Sequence, residues 1–380
     1  MQCFQENNLL LGTRFANYRA EGVLYMNHKK KRRLNMKRLL SAILASLMLL
    51  TLAACGGAPD KTPADKDTQT PEASNGEDWP QVTLVLGHAS SEDSAINDDA
   101  EYIKDAVAKA TNGTVNVEIY SGSTLGTEVQ MFEGMQAGTV DMMIVPPSIL
   151  VSFISDFGIF ELPYLVQGFD HAKAVWDSEV GHDLDAQLND RGVQCFGLAD
   201  FGYRNATNSV RPITTPADVK GLKMRTMTSE VAIDLWKELG AEPIAMSINE
   251  VFSALQTKVI DGQENPYTAI QSNGFYEVQK YCSATQHQYN MLCFLVSDSA
   301  LAQMTEAQMA AFISAFDGAE EASREIMDRR TEESVAFMKE KGMEFNDVDL
   351  GKFIEAAQPV IEKYADQYGR DKIELVQSLA

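Results

Sequence analysis

From Trp79 onward, apolar runs of strand length alternate with segments of helical period, and this alternation leaves few folds open. Residues 82–86 form an apolar run of strand length. Ile96, Ala100, Ile103, Val107 and Ala110 then recur at helical spacing. Asn112-Gly113 ends that helix, since Gly readily takes the left-handed conformation just past a helix end. Val115, Val117 and Ile119 alternate with Asn116, Glu118 and Tyr120, so the next strand buries one face. Thr127, with Gln130 three residues on, has capping-box spacing for a second helix, and Gly138 closes it. Residues 142–145 are apolar throughout, as a parallel strand covered on both faces would be. Strand, helix, strand, helix, strand predicts a right-handed, mostly parallel α/β sheet.

A second cycle follows. Residues 193–199 and 203–208 read as strands, 222–225 as a short strand and 229–239 as a helix. Residues 243–246 read as a strand, 250–257 as a helix and 291–297 as a buried strand. Two sheet systems predict two α/β lobes. The tail is helical: Thr305 and Gln308 form another capping pair, and residues 305–341 contain no Pro and one Gly, Gly318. Unbroken, such a helix runs about 55 Å, against about 30 Å for one small domain. The helix is therefore expected to break near Gly318 or to lie across both lobes.

The amino-terminal region reads as an address. Residues 39–52 are apolar but short for a mature membrane span. Lys37 and Arg38 precede them and small residues follow, the pattern of a signal peptide over 36–54. Leu52-Ala53-Ala54-Cys55 resembles a bacterial lipobox, in which the cysteine is lipidated and becomes the first mature residue. The alternative is an ordinary signal peptide with an incidental cysteine. Residues 1–35 fit no part of the signal and read as a misassigned upstream extension. Residues 55–78, rich in Pro, Asp, Lys, Thr and Ser, read as a flexible tether. Lipid on Cys55 would hold the body at the outer face of a membrane, at the cell surface or in the periplasm.

Charge and motifs narrow the function. The net charge is −22. Residues 1–54 hold nine Lys/Arg and two Asp/Glu, so residues 55–380 carry −29. So acidic a body argues against nucleic acid, whose phosphates need Lys/Arg clusters. Cys195, Cys282 and Cys293 form no CxxC pair and read as small buried residues. His88, His171, His182 and His287 stand in no metal-binding spacing, and no GxSxG elbow or P-loop occurs. No metal, cofactor or catalytic residue is therefore expected, although composition alone leaves a carboxylate-pair hydrolase open.

One ordered set of motifs carries a resemblance. It runs Tyr203-Arg204-Asn205-Ala206-Thr207-Asn208, then Arg211-Pro212-Ile213, then Thr215-Pro216-Ala217-Asp218-Val219-Lys220-Gly221-Leu222-Lys223-Met224-Arg225. Leu239-Gly240-Ala241-Glu242-Pro243, Glu250-Val251, Ala254-Leu255-Gln256 and Asp261-Gly262-Gln263-Glu264-Asn265-Pro266 follow. Upstream lie Leu125-Gly126, Gly138-Thr139-Val140-Asp141-Met142 and Phe160-Glu161-Leu162-Pro163-Tyr164-Leu165. Together they resemble the solute-binding subunit of TRAP (tripartite ATP-independent periplasmic) transporters, the DctP family. The resemblance implies a two-lobed, periplasmic-binding-protein-like (Venus flytrap) α/β fold with a long helix bridging both lobes. It implies residues 79–202 with 291–330 as lobe I and 203–290 with 331–380 as lobe II. It also implies capture of an organic acid (a dicarboxylate, keto acid or sugar acid), delivery to a membrane permease, and no enzymatic chemistry. A solute-sensing module that presents its ligand to a receptor kinase is the alternative.

The resemblance places Arg225 on the ligand carboxylate, Asn265 as a polar contact and Arg204 as a further one. Family members that bind sialic acid often carry an aromatic residue where Ile248 stands here, which turns the expectation away from sialic acid. The residues themselves support parts of this. An Arg inside a short strand is costly unless its charge is paired, and guanidinium offers a carboxylate two parallel donors. Arg225 is thus either an anion site or one half of an internal ion pair. Arg204 could instead pair with Asp200, and Asn265 could simply open a turn before Pro266. Glu128 either complements a helix dipole or binds a ligand hydroxyl or amine. His88 follows a strand end, where ligand loops gather in α/β sheets, or is a solvated loop residue. Phe157, Phe160, Tyr164, Tyr267 and Asn290 are weaker candidates.

Overall fold

The computed structural model describes residues 79–380. The signal peptide, Cys55 and the tether lie outside these residues.

The first cycle folds as its periodicity predicts. Strands β1 (Val82–Gly87), β2 (Val115–Tyr120) and β3 (Met142–Val145) are linked by helices α1 (Ala95–Ala110) and α2 (Glu128–Ala137). β1 pairs in parallel with β2 and β3. Helices α3 (Phe169–Trp176) and α4 (Glu179–Asp190) then lead to β4 (Val193–Asn208). The second cycle has β5 (Lys223–Thr226), α5 (Glu230–Glu238), β6 (Glu242–Ala245), α6 (Ile248–Gln256), β7 (Gly262–Asn265) and α7 (Tyr267–Ser272). Here β5 pairs in parallel with β6 and β7.

Two separate sheets were expected, but the strands form one, in the order β2-β1-β3-β8-β4-β7-β5-β6. The reason is length. β4 has 16 residues, and β8 (Tyr281–Ser297) has 17. They pair antiparallel with each other and run from one parallel group into the other. The sheet is therefore mixed rather than mostly parallel. β4 is irregular along this crossing, with register shifts at Cys195/Leu198, Asp200/Gly202 and Arg204/Ala206. Gly202, in the left-handed region at φ 84°, sits at the middle shift. β9 (Glu344–Asn346) adds in parallel to β8.

The long tail helix does both things foreseen for it. It breaks at Gly318, which takes φ 84° between α8 (Glu306–Ser314) and α9 (Ala319–Glu340). The 22 residues of α9 then span about 33 Å. At its start Glu320 accepts from the Leu198 amide, and the Ser323 hydroxyl accepts from the Asp200 amide at 3.0 Å. Further along, Arg330 grips Asp98 of α1 through two donors at 2.6 and 2.9 Å. Near its end Met338 joins the cluster of Val251, Leu255, Ile270 and Phe275 in the second cycle. α10 (Leu350–Tyr368) makes a second bridge. Phe353 and Ala357 pack with Met224 and Trp236, whereas Val360, Tyr364 and Tyr368 pack with Phe157 and Leu184. α11 (Arg370–Ser378) continues into that second cluster through Ile373 and Val376.

Candidate functional site

The carboxyl ends of the parallel strands of both cycles converge on one cavity of about 220 Å³. Residues 89 and 90 enter it after β1, Ser148 after β3, Met227 and Thr228 after β5, and Met246 to Ile248 after β6. In open α/β sheets, ligands bind outside these strand ends. Arg204, Arg225, Asn265 and Glu128 all line it.

Arg225 is the third residue of the four-residue β5, flanked by β6 and β7, and is 4% exposed. Its Nε and Nη2 both donate to the Met246 carbonyl, at 3.0 and 2.8 Å. These two bonds fix the plane of the guanidinium. Among the described residues no carboxylate forms an ion pair with it; Glu264, Glu128 and Glu250 act on its charge from a distance, and the guanidinium lines the cavity wall. Burial lowers its pKa to about 10, so it stays cationic at neutral pH.

Arg204 differs. It is fully buried in β4 and forks onto Glu264 of β7, with Nη2 donating to Oε1 at 2.9 Å and Nε to Oε2. Nη2 also reaches the Glu264 carbonyl, at 2.6 Å. His287 Nε2 bonds the same carboxylate at 2.9 Å. Burial pushes the Glu264 carboxyl up, but the Arg204 charge and the His287 hydrogen bond outweigh it and hold the group at about 2. Asp200, the partner weighed from sequence, instead accepts from the Tyr289 hydroxyl.

Asn265 ends β7, its Nδ2 on Gln263 Oε1 at 2.6 Å. Glu128 is the first residue of α2, behind a capping box formed by Thr127 and Gln130. Burial pushes its carboxyl up to about 7, against the opposing pull of Arg225 and Arg204. His88 does not join this group. It is fully buried with Nε2 3.2 Å from Asn97 Oδ1, and Ala89 and Ser90 form the wall in its place. Burial lowers its pKa. Phe157 and Phe160 belong to the core. The Tyr164 hydroxyl donates to the Thr285 carbonyl, Tyr267 packs beside Phe345, and Asn290 is buried; none of the three lines the cavity.

The structure adds residues that sequence reasoning missed. Ser148 is 1% exposed, lines the cavity, and its hydroxyl has no partner. Its place just after a buried parallel strand was the available signal. Phe201 and Asn273 complete part of the wall, beside Ile248, the position that the resemblance marks. A second cavity, of about 260 Å³, lies between α4 and the start of α11. The one cation among its described lining residues, Lys372, is paired with Asp183 at 2.9 Å, and Asp156 and Asp366 line it too, so it is poorly suited to an anion. Among the described residues no cluster of three His, Cys, Asp or Glu could hold a metal, and no helix is long and apolar enough to cross a membrane.

The family model for bacterial extracellular solute-binding proteins, family 7 (DctP), matches residues 86–367. This chain belongs to that family. A solute-binding protein of Roseobacter denitrificans is 35% identical over 283 residues, 74% of this chain and 86% of the relative. The crystal structure of that TRAP periplasmic solute-binding protein, with bound L-galactonate, aligns at TM-score 0.73 and 33% identity, covering 79% of this chain and 99% of the other. A TRAP periplasmic solute-binding protein of Polaromonas, bound to D-erythronate, aligns at TM-score 0.75 and 32% identity, covering 78% and 98%. The two-lobed α/β fold expected from the resemblance is thus the fold of the family. The protein is an extracytoplasmic TRAP-type solute-binding protein and not an enzyme. A receptor-kinase sensor is not favoured by these relatives.

Proposed function

We propose that this DctP-family protein captures a small organic acid in the cavity between its lobes and delivers it to a TRAP permease. The observation that carries this reading is Arg225, a buried, oriented guanidinium that no carboxylate among the described residues pairs with directly. A carboxylate there gains two-donor pairing in a site shielded from water. Asn265, Glu128 and Arg204 supply polar contacts around it. The L-galactonate and D-erythronate bound by the two relatives are both carboxylates. We assign lobe I to 79–202 with 291–330 and lobe II to 203–290 with 331–380, the later part of α10 and α11 packing back onto lobe I. The irregular stretch of β4 around Gly202 is the hinge, and ligand favours the closed form.

A thermal-shift screen of organic acids tests the reading. A ligand that binds only the folded protein stabilises it by about 2.7 kcal/mol at a hundred times its dissociation constant. L-galactonate, D-erythronate or a close analogue should raise the melting temperature by several degrees. A panel of sugar acids, keto acids and dicarboxylates that leaves melting unmoved would remove organic acids as the ligand class.

We further propose that lipid on Cys55 anchors the mature protein. The Leu-Ala-Ala-Cys sequence supports this. Cys55→Ala should give unprocessed or released protein on cell fractionation. Processed Cys55→Ala protein that stays in the membrane fraction as wild type does would contradict it.

A further inference from the structure

The charges that line the cavity number three: Arg204, Arg225 and Glu128. They do not count equally. Arg204 is neutralised by the forked ion pair with Glu264. One guanidinium, that of Arg225, remains for a ligand. Glu128, at the start of α2, lines the same cavity within electrostatic reach of both arginines. Glu264 of β7 and His287 of β8 stand behind Arg204, as does Glu161, which Gln288 bonds at 2.9 Å. Glu250 of α6 lies near Arg225. Among the described residues no other ionisable side chain lines the cavity.

We propose that the single unpaired guanidinium and Glu128 together set the ligand class: with one free cation the cavity takes acids with one carboxylate and several hydroxyls and disfavours a second carboxylate, and Glu128 takes up a proton as the ligand enters. This rests on the organic-acid reading above and narrows it. The first carboxylate neutralises Arg225. A second would sit in a closed site with no cation left and Glu128 beside it, and an unpaired buried charge is costly. An ionised Glu128 is also a like charge to the bound carboxylate. Protonated, it is a donor to a ligand oxygen. Burial already holds the empty site's carboxyl near 7, so the proton is available at little cost at neutral pH. The unpartnered Ser148 hydroxyl offers a matching group for a ligand hydroxyl.

The test is calorimetry with L-galactonate, D-erythronate and succinate on wild type and Glu128→Gln, between about pH 6 and about pH 9, in two buffers of different ionisation heat. In wild type a monoacid should bind with net proton uptake and weaken at least about tenfold across that range, while succinate binds more weakly. Because Gln cannot titrate, Glu128→Gln should abolish the uptake and flatten the profile. Succinate should stay the weaker ligand in both proteins, since its second carboxylate meets no free cation in either. A flat wild-type profile, uptake that persists in Glu128→Gln, or succinate that binds as tightly as the monoacids overturns the proposal while leaving organic-acid capture intact. Wild type that binds no acid at any pH overturns both.

Discussion

Replacing Arg225 by Ala should weaken binding of the best organic acid by roughly thirtyfold or more, while the protein still folds. Truncating one partner of a buried charge pair costs about 2–5 kcal/mol, because the other charge is left buried and unpaired. The far field of an acidic body repels an anion, so the local guanidinium must supply the attraction. The fold should survive, since the internal bonds of Arg225 go to a single backbone carbonyl, that of Met246, and break no ion pair. Arg225→Lys should also bind poorly. The carbonyl holds Nε and Nη2 and so aims a planar fork, whereas an ammonium on a flexible stem keeps the charge and loses the paired donors. Calorimetry with the strongest binder from the screen measures both. Binding by Arg225→Ala within about threefold of wild type, under roughly 0.7 kcal/mol, would place the carboxylate elsewhere, with Arg204 the next residue to change.

What the sequence showed of this site followed from local chemistry, and what it hid depended on distant partners. The short strands β1, β2 and β3 and their helices are visible because each buries a face with its own period. Gly318 could be read as a break because only the local backbone decides that. The first ten residues of β8 were illegible. Ser283, Thr285, His287 and Asn290 are buried polar residues in a strand, so the apolar signal is missing. Their reasons lie across the sheet: Thr285 accepts from the Ala206 amide and His287 bonds Glu264. Without that stretch the two parallel groups look like two sheets. His88 sits where a strand end predicts a ligand residue, yet the packing of Asn97 against it turns the ring inward. The pairing of Arg204 with Glu264 joins residues 60 apart, and Asp200 seemed as good a partner in sequence.

That pair carries the largest expected effect on stability. Removing one member of a buried ion pair costs about 3–5 kcal/mol, since it strands the other charge. Glu264→Ala leaves Arg204, about 1% exposed, without its carboxylate and His287 without its partner. A urea unfolding midpoint well below that of wild type is expected, by several kcal/mol on extrapolation. The pH dependence has a definite sign. Glu264 is held near 2 in the folded protein against 4.5 for an ordinary glutamate. The unfolded chain therefore binds the proton more readily over that interval. Its contribution, roughly 3 kcal/mol, is fully present above about pH 4.5 and is lost as pH falls towards 2. Glu264→Gln removes this titration, so its stability should fall less steeply than wild type between those limits. Glu128 acts in the reverse sense, because its folded value lies above the ordinary one and its neutral form is favoured as pH falls. The two carboxylates near the same arginines thus oppose each other in acid. In the folded protein Glu264 keeps its charge on Arg204 down to about 2, so the ion pair persists over the whole range in which Glu128, held at about 7, becomes neutral. A Glu264→Ala protein as stable as wild type to within about 1 kcal/mol would show that Arg204 finds another counter-charge and that this ordering of the site is wrong.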